Sequence, residues 1–382
     1  MIKQSKPGNP VLAAVRGLVH EELAPLAGRI DRDGYYPAEF LRRLGAAGGF
    51  GASIPQPDGG AGLGLADQID VTSAVAEECG SSAFLTWCQS VCGWYLLHAP
   101  NPTVKRRYLA RVARGELLAG SGMSNTAKHL AGIEKMHLQA RHDGADYRVN
   151  GILPWVSNLG EDHLLITTAQ LADQRYVMFA IRCNASGIEL HACPPFSGME
   201  GTGTFNPRFH EVHVQAANVI AGPAEFAAYM TRIKPGFVLG QVGMGLGLVT
   251  GCLRTMHRYD ATMAEVNGYL DEQQPELQRE LGRLREATRR LADAAQAGRP
   301  SLIEILRARA GASELGLRAA NAAVLHAGAR GYLMSNPAQR RLREAIFVAI
   351  VTPALKHLRK EIHDLTRSCR QPARESAESA AA

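Results

Sequence analysis

The spacing of apolar positions changes twice along the chain. Over residues 10–118 they recur at helical intervals, as in Pro37-Ala38-Glu39-Phe40-Leu41-Arg42-Arg43-Leu44 and again across 66–78. From about Met136 to Val214 apolar and polar residues alternate, and from about Ala224 the helical interval returns. A recurrence near 3.6 residues puts one face of a helix in a core; a recurrence of two does the same for a strand. The middle block therefore predicts strands over 137–141, 147–149, 164–168, 176–181, 188–191 and 209–214, the first two joined by a turn at Asp143-Gly144. The last block predicts helices over 254–263, 275–297, 301–327 and 337–365, with 276–290 exposed because its charges alternate in sign. The Pro- and Gly-rich stretch 54–64 reads as a loop. These shifts divide the chain into a helical unit (1–118), a β unit (119–222) and a second helical unit (223–368), followed by a small, polar tail (369–382) whose composition predicts disorder.

One apolar run, 236–253, is long enough to raise the question of a membrane span. Gln241 and the glycines within it lower its hydrophobicity, so a buried helix is the expectation. Gly243, Gly247 and Gly251 recur every four residues and form a bare stripe where another helix or a ligand can approach closely.

Composition narrows the class. The 382 residues, 46% hydrophobic, can bury a substantial core. The net charge of +6 is spread among acidic residues along the helices, which reads as solvated surface rather than a nucleic-acid footprint, and it is compatible with an anionic nucleotide cofactor. Seven scattered cysteines without CxxC spacing indicate neither a disulfide frame nor a zinc site. With reduced thiols and no apolar signal segment in MIKQSKPGNP, a cytoplasmic location is expected. His210 and His213, an odd number apart on a strand, are expected to face opposite ways and not to share a metal. GxSxG, Walker, HExxH and complete GxGxxG motifs are absent.

Four segments, taken in order, resemble the acyl-CoA dehydrogenase superfamily across 11–365. They are the glycine-rich loop 54–64; Asp146-Tyr147-Arg148-Val149-Asn150-Gly151 with Trp155-Val156-Ser157-Asn158; Gly198-Met199 to Thr204 followed by Phe209-His210-Glu211-Val212-His213-Val214; and Gly328-Ala329-Arg330-Gly331-Tyr332 ahead of Pro337 and Arg343. The resemblance implies an α+β fold with an N-terminal helical domain, a central antiparallel β-barrel-like domain and a C-terminal four-helix bundle. It further implies FAD between the β domain and the bundle, and a homotetramer or dimer of dimers.

A flavin ring needs an apolar wall and a hydrogen-bond donor near its reactive nitrogen, which Trp155 and Ser157 can supply; on a strand, residues two apart share a face. By the resemblance Met123 and Ser124 fall on the first flavin-binding strand, and Gly328, Arg330 and Gly331 near the cofactor's charged end. Two family residues at that end are replaced, an arginine by Met263 and a glutamine by Leu325. The catalytic glutamate position is occupied by Thr352, and an alternative position on an earlier helix falls on Ile233 or Phe237, so no catalytic base is identified.

Three functions stay open. One is α,β-desaturation of an acyl thioester, with an electron-transfer flavoprotein as partner. Another is a monooxygenase fed reduced flavin (FMN in that case) by a reductase, a group whose His-Asp-Pro segment is partly echoed by Val351-Thr352-Pro353. The last is a silent subunit of a hetero-oligomer. His129 and His326 are further candidates to approach the ring; each also reads as a satisfied structural histidine.

Overall fold

The computed structural model describes residues 9–380. Six helices come first. Helix α1 (Pro10–Leu18), capped by the Asn9 side chain, runs through a π turn into α2 (Ala24–Arg32), followed by α3 (Ala38–Ala46), α4 (Leu65–Ala76), α5 (Gly80–Leu97) and α6 (Pro102–Ala113). The β unit comprises β1 (Ala119–Ser121), a short helix α7 (Met123–Leu130), then β2 (Leu138–Asp143), β3 (Asp146–Ile152), β4 (Leu164–Leu171), β5 (Tyr176–Arg182), β6 (Ile188–Ala192), β7 (Phe205–Val214) and β8 (Val219–Ala221). Helices α8 (Phe226–Asn267), α9 (Gln274–Gln296), α10 (Leu302–Ala327), α11 (Pro337–Ile350) and α12 (Leu355–Ala380) close the chain.

The strand order is β6-β7-β3-β2-β4-β5-β8, with β1 also beside β4. The expected hairpin is present: β2 and β3 pair antiparallel, Asp143 opposite Asp146. The sheet is mixed rather than antiparallel, because β4 runs parallel to both β1 and β2. All eight residues of β4 are buried. Leu164 and Ile166 join the helical core while Leu165 and Ala169 join a separate core on the other side of the sheet, and a strand covered on both faces accommodates parallel neighbours.

Helix α8 is the axis of the molecule, and 83% of its most apolar window is buried, so the run singled out at 236–253 is a core helix. Its glycine stripe lies against α4. A Cβ on Gly243 would stand 2.7 Å from the Ile69 carbonyl oxygen, on Gly247 2.0 Å from that of Ser73, and on Gly251 2.6 Å from that of Glu77. The close approach read from the four-residue spacing is therefore to a helix.

Four local expectations fail. Residues 337–365 are two helices, not one, because Pro353 cannot continue a helix; the break at 351–354 carries a cis Thr352–Pro353 peptide. Met123 and Ser124, expected on a flavin-binding strand, open α7 instead; without the family's Pro and Gly punctuation, nothing in Met123-Ser124-Asn125-Thr126-Ala127-Lys128 prevents a helical turn. His210 and His213 are both exposed, because the ladder between β3 and β7 shifts register near Glu211 (φ 48°) and restores the second histidine to the outer face. Finally, α12 extends to Ala380 through the stretch expected to be disordered, whose Ala, Glu and Arg have high helix propensity.

Candidate active site

A cavity of about 370 Å³ lies between α7, α8, the 351–354 loop and α12. Part of its wall is apolar, formed by Tyr95, Met123, Met230, Ile233, Phe237 and Val238. Another part carries titratable side chains: Lys128, Lys234, His357, Lys360, Glu361 and Asp364. Lys128 Nζ pairs with Glu134 at 2.7 Å, Lys234 with Glu361, and Lys360 with Asp364 at 2.8 Å. An apolar compartment edged by fixed polar groups is the usual form of a site for a small organic ligand.

The break after α11 is held firmly. Gln241, the lone amide side chain of the apolar run, donates to the Thr352 carbonyl oxygen (2.9 Å). Its Oε1 accepts from Arg309 Nε (2.9 Å). Arg309 is fully buried, and it donates further to Ser313 and to the Val348 carbonyl oxygen (2.6 Å) at the C-terminal end of α11, where the helix dipole favours a cation. Burial alone pushes this guanidinium down to about 10. The Thr352 hydroxyl is fixed as well, 2.8 Å from Ser124 Oγ.

All three positions at which the resemblance would place a base, Ile233, Phe237 and Thr352, lie on the cavity wall, and none is a carboxylate. Of the flavin candidates, only Met123 lines the cavity; it is buried, its sulfur accepting from Thr168 Oγ1 at 3.4 Å. Ser124 reaches the cavity through its bond to Thr352.

Trp155 and Ser157 do not share a face. The chain leaves regular β structure after Ile152, Trp155 takes φ 54° and its indole is 64% exposed, with only an edge-on contact to Phe196 (6.3 Å between rings). Ser157 is buried, its hydroxyl 2.6 Å from Thr204 Oγ1, which in turn meets Thr202. The even spacing misleads because a positive φ breaks the alternation. Asn158, next along, is a structural tie: it donates to the Ala119 carbonyl oxygen (2.7 Å) and accepts from the Tyr36 hydroxyl (2.6 Å).

Gly328, Arg330 and Gly331 form a 3₁₀ turn away from the cavity. Gly328 needs its freedom for φ 59°. Gly331 needs it because a Cβ would stand 2.6 Å from the Val324 carbonyl oxygen, a packing reason internal to the turn. Arg330 is exposed. The ends of α8 and α10 meet here, Asn267 donating to the His326 carbonyl oxygen and His326 bonding Asp260. Around them Met263, Val266, Tyr269, Leu325 and Tyr332 are all exposed.

His129 and His326 are satisfied structural residues. His129 bonds the Glu134 carbonyl oxygen (3.0 Å) and the Tyr176 hydroxyl (2.9 Å); His326 bonds Asp260 (2.8 Å) and the Glu272 carbonyl oxygen (3.0 Å). The residues missed from the sequence are Gln241 and Arg309 behind the 351–354 break and His357 on the cavity wall. A lone amide in an apolar run signalled the first; Arg309 and His357 sit among other charged residues and give no such signal. Among the described residues no cluster of metal-ligating side chains occurs, and the six described cysteines are free.

Residues 9–116 match the family model "Acyl-CoA dehydrogenase, N-terminal domain". A Bacillus subtilis protein named "Probable acyl-CoA dehydrogenase YngJ" is 23% identical over 361 residues, 91% of this chain and 94% of that one. Among solved structures, butyryl-CoA dehydrogenase from Megasphaera elsdenii superposes with a TM-score of 0.83 at 18% identity, covering 94% of this chain and 98% of that one. A glutaryl-CoA dehydrogenase from Mycobacterium smegmatis in complex with FADH2 superposes with a TM-score of 0.80 at 18% identity, covering 93% of each. The resemblance read from the four segments is borne out, and the fold is that of the acyl-CoA dehydrogenases.

Against a flavin dinucleotide the residues divide. The exposed indole of Trp155 offers an unstacked apolar face for the ring. At the end where the resemblance would place the phosphates, Met263 and Leu325 are exposed apolar residues and Arg330 is an exposed cation.

Proposed function

We propose that this chain, which has the acyl-CoA dehydrogenase fold, is a flavin-dependent oxidoreductase that desaturates an acyl thioester at its α and β carbons. The observation that carries the reading is the cavity walled by Thr352, the base position of the resemblance, and by Ile233 and Phe237, on one of which its alternative falls. Bound FAD would supply the hydride acceptor. Tyr95, Met123, Ile233, Phe237 and Val238 exclude water from the acyl chain, which strengthens each remaining polar contact. The Ser124–Thr352 hydroxyl pair, fixed from behind by Gln241 and Arg309, offers hydrogen bonds that orient the thioester. Lys128, Lys234 and Lys360 suit a phosphate-bearing carrier such as coenzyme A. An electron-transfer flavoprotein is the natural acceptor of the electrons, and the exposed apolar face at Met263, Tyr269 and Leu325 supports assembly into a homotetramer or dimer of dimers. Free cysteines fit a cytoplasmic protein.

A second reading, a monooxygenase supplied with reduced flavin, is favoured by one feature: the replacements at Met263 and Leu325 suit a flavin that arrives and leaves. The test is anaerobic addition of butyryl- and octanoyl-CoA to the flavin-loaded protein, followed by the visible spectrum. Bleaching of the flavin band supports desaturation. No bleaching, with oxygen consumed and a hydroxylated product formed once reduced flavin is supplied, replaces it with the second reading; neither signal leaves a silent subunit.

A further inference from the structure

Desaturation requires loss of a proton from the carbon beside the thioester carbonyl, and the three places where a carboxylate would take it hold Ile233, Phe237 and Thr352. Every titratable side chain on the cavity wall but one is already engaged. Tyr95 shares its hydroxyl with Ser121 (3.1 Å), and burial pushes its phenol well above the usual range. Lys128 is held by Glu134, Lys234 by Glu361 and Lys360 by Asp364.

The exception is His357. Its Nδ1 is buried without a hydrogen-bond partner, its Nε2 makes no hydrogen bond among the described residues, and the residue lines the cavity. The residue stands at the start of α12, its amide bonded to the Ala354 carbonyl oxygen (2.8 Å), on the same wall as Thr352 and Pro353. A buried polar atom left without a partner costs free energy, and such an atom in a native structure calls for a reason.

We infer that His357 Nε2 is the proton acceptor for the acyl substrate of this cavity, in place of the missing carboxylate; the inference rests on the acyl-thioester reading above. The Cα–H bond breaks, the proton passes to Nε2, and the electron pair stays on the substrate as its enolate. With a flavin as the two-electron oxidant, the hydride then leaves Cβ and the pair closes the carbon–carbon double bond. The imidazolium afterwards gives its proton to solvent.

The surroundings keep the ring ready for this. Burial, then Lys356 on its own helix and Lys128 from α7, hold its pKa below the ordinary histidine value, against a smaller opposing effect from Glu134. Lys234 from α8 and Lys360, Glu361 and Asp364 on α12 complete the charged groups on this wall. The imidazole is therefore uncharged at neutral pH with a lone pair to accept, and the imidazolium, beside two lysines and with a buried Nδ1, returns its proton readily.

Exchange at Cα tests this without any redox turnover. The protein as isolated is incubated anaerobically in D2O with butyryl- or octanoyl-CoA, and deuterium at Cα is measured by mass spectrometry. The expected result is exchange whose rate rises with pH through one ionisation below that of free histidine and then levels. His357→Gln is expected to slow it by about 100-fold or more with acyl-CoA binding unchanged by calorimetry. His357→Glu is expected to recover much of it, with the profile displaced to lower pH. Exchange at the wild-type rate in His357→Gln, a flat profile in the wild type, or joint loss of exchange and binding would each overturn the assignment while leaving the thioester reading in place. A wild type that exchanges neither thioester overturns both.

Discussion

The two ends of the expected flavin site differ sharply. At the cavity, α8, α10 and the break after α11 are tied by a chain running from buried Arg309 through Gln241 to the Thr352 backbone, and the Ser124–Thr352 hydroxyl pair adds α7. At the turn after α10, Met263 is 42% exposed, Leu325 52% and Tyr332 83%, and Arg330 is the one exposed cation of that turn. On the proposed reading, the same fold carries a built compartment for the reacting groups and a weakened grip for a dinucleotide's phosphates. Chemistry and cofactor retention would then be separable, because they depend on side chains from different helix ends.

The largest expected effect tests the scaffold that both ends share. Gly247→Val forces methyl groups into the Ser73 carbonyl of α4 and is expected to cost about 3 kcal/mol or more, read by urea denaturation. A smaller loss would show that α4 can move away from α8. Next, Met263→Arg combined with Leu325→Gln should strengthen FAD binding by roughly tenfold, about 1.4 kcal/mol, without altering FMN binding. Equal gains for the two flavins would place these residues elsewhere than at the dinucleotide's second phosphate. Trp155→Ala should lower flavin occupancy several-fold after gel filtration. As its indole is 64% exposed, stability should stay within about 0.5 kcal/mol.

The smallest effect concerns acid stability, far from either end. Burial, with Arg232 and Lys105, lowers His98 from 6.5 to about 4, and its ring lies 4.2 Å from that of Trp94. Below pH 6.5 the unfolded chain takes up a proton that the folded chain refuses, so stability present above 6.5 is lost progressively as pH falls towards about 4. His98→Leu should therefore narrow the gap between urea midpoints at pH 7 and pH 5. An unchanged gap would assign the acid sensitivity to other groups.

What could be read from the sequence follows from how local each signal is. Helical and strand periods, the Asp143-Gly144 hairpin and the stripe at Gly243, Gly247 and Gly251 are written in neighbouring residues, and each has its counterpart in the fold. Trp155 and Ser157 were paired by a rule for regular strands that a positive φ cancels, and His210 and His213 were separated by the same rule where a register shift restores them to one face. Pro353 is a single breaking signal within an otherwise helical pattern, which the surrounding periodicity masks. Gln241, Arg309 and His357 come to this region from three separate helices, the first two behind the break and the third on the cavity wall. Their alignment is a property of packing, and no short window of sequence contains it.

The most direct measurement of the contrast between the two ends is the affinity of the purified protein for riboflavin, FMN and FAD under one set of conditions, by fluorescence quenching. The account predicts that the ring carries most of the binding, with FAD less than about tenfold tighter than riboflavin. FAD held a thousandfold more tightly, about 4 kcal/mol, would show an intact dinucleotide grip at Met263 and Leu325 and contradict the central distinction.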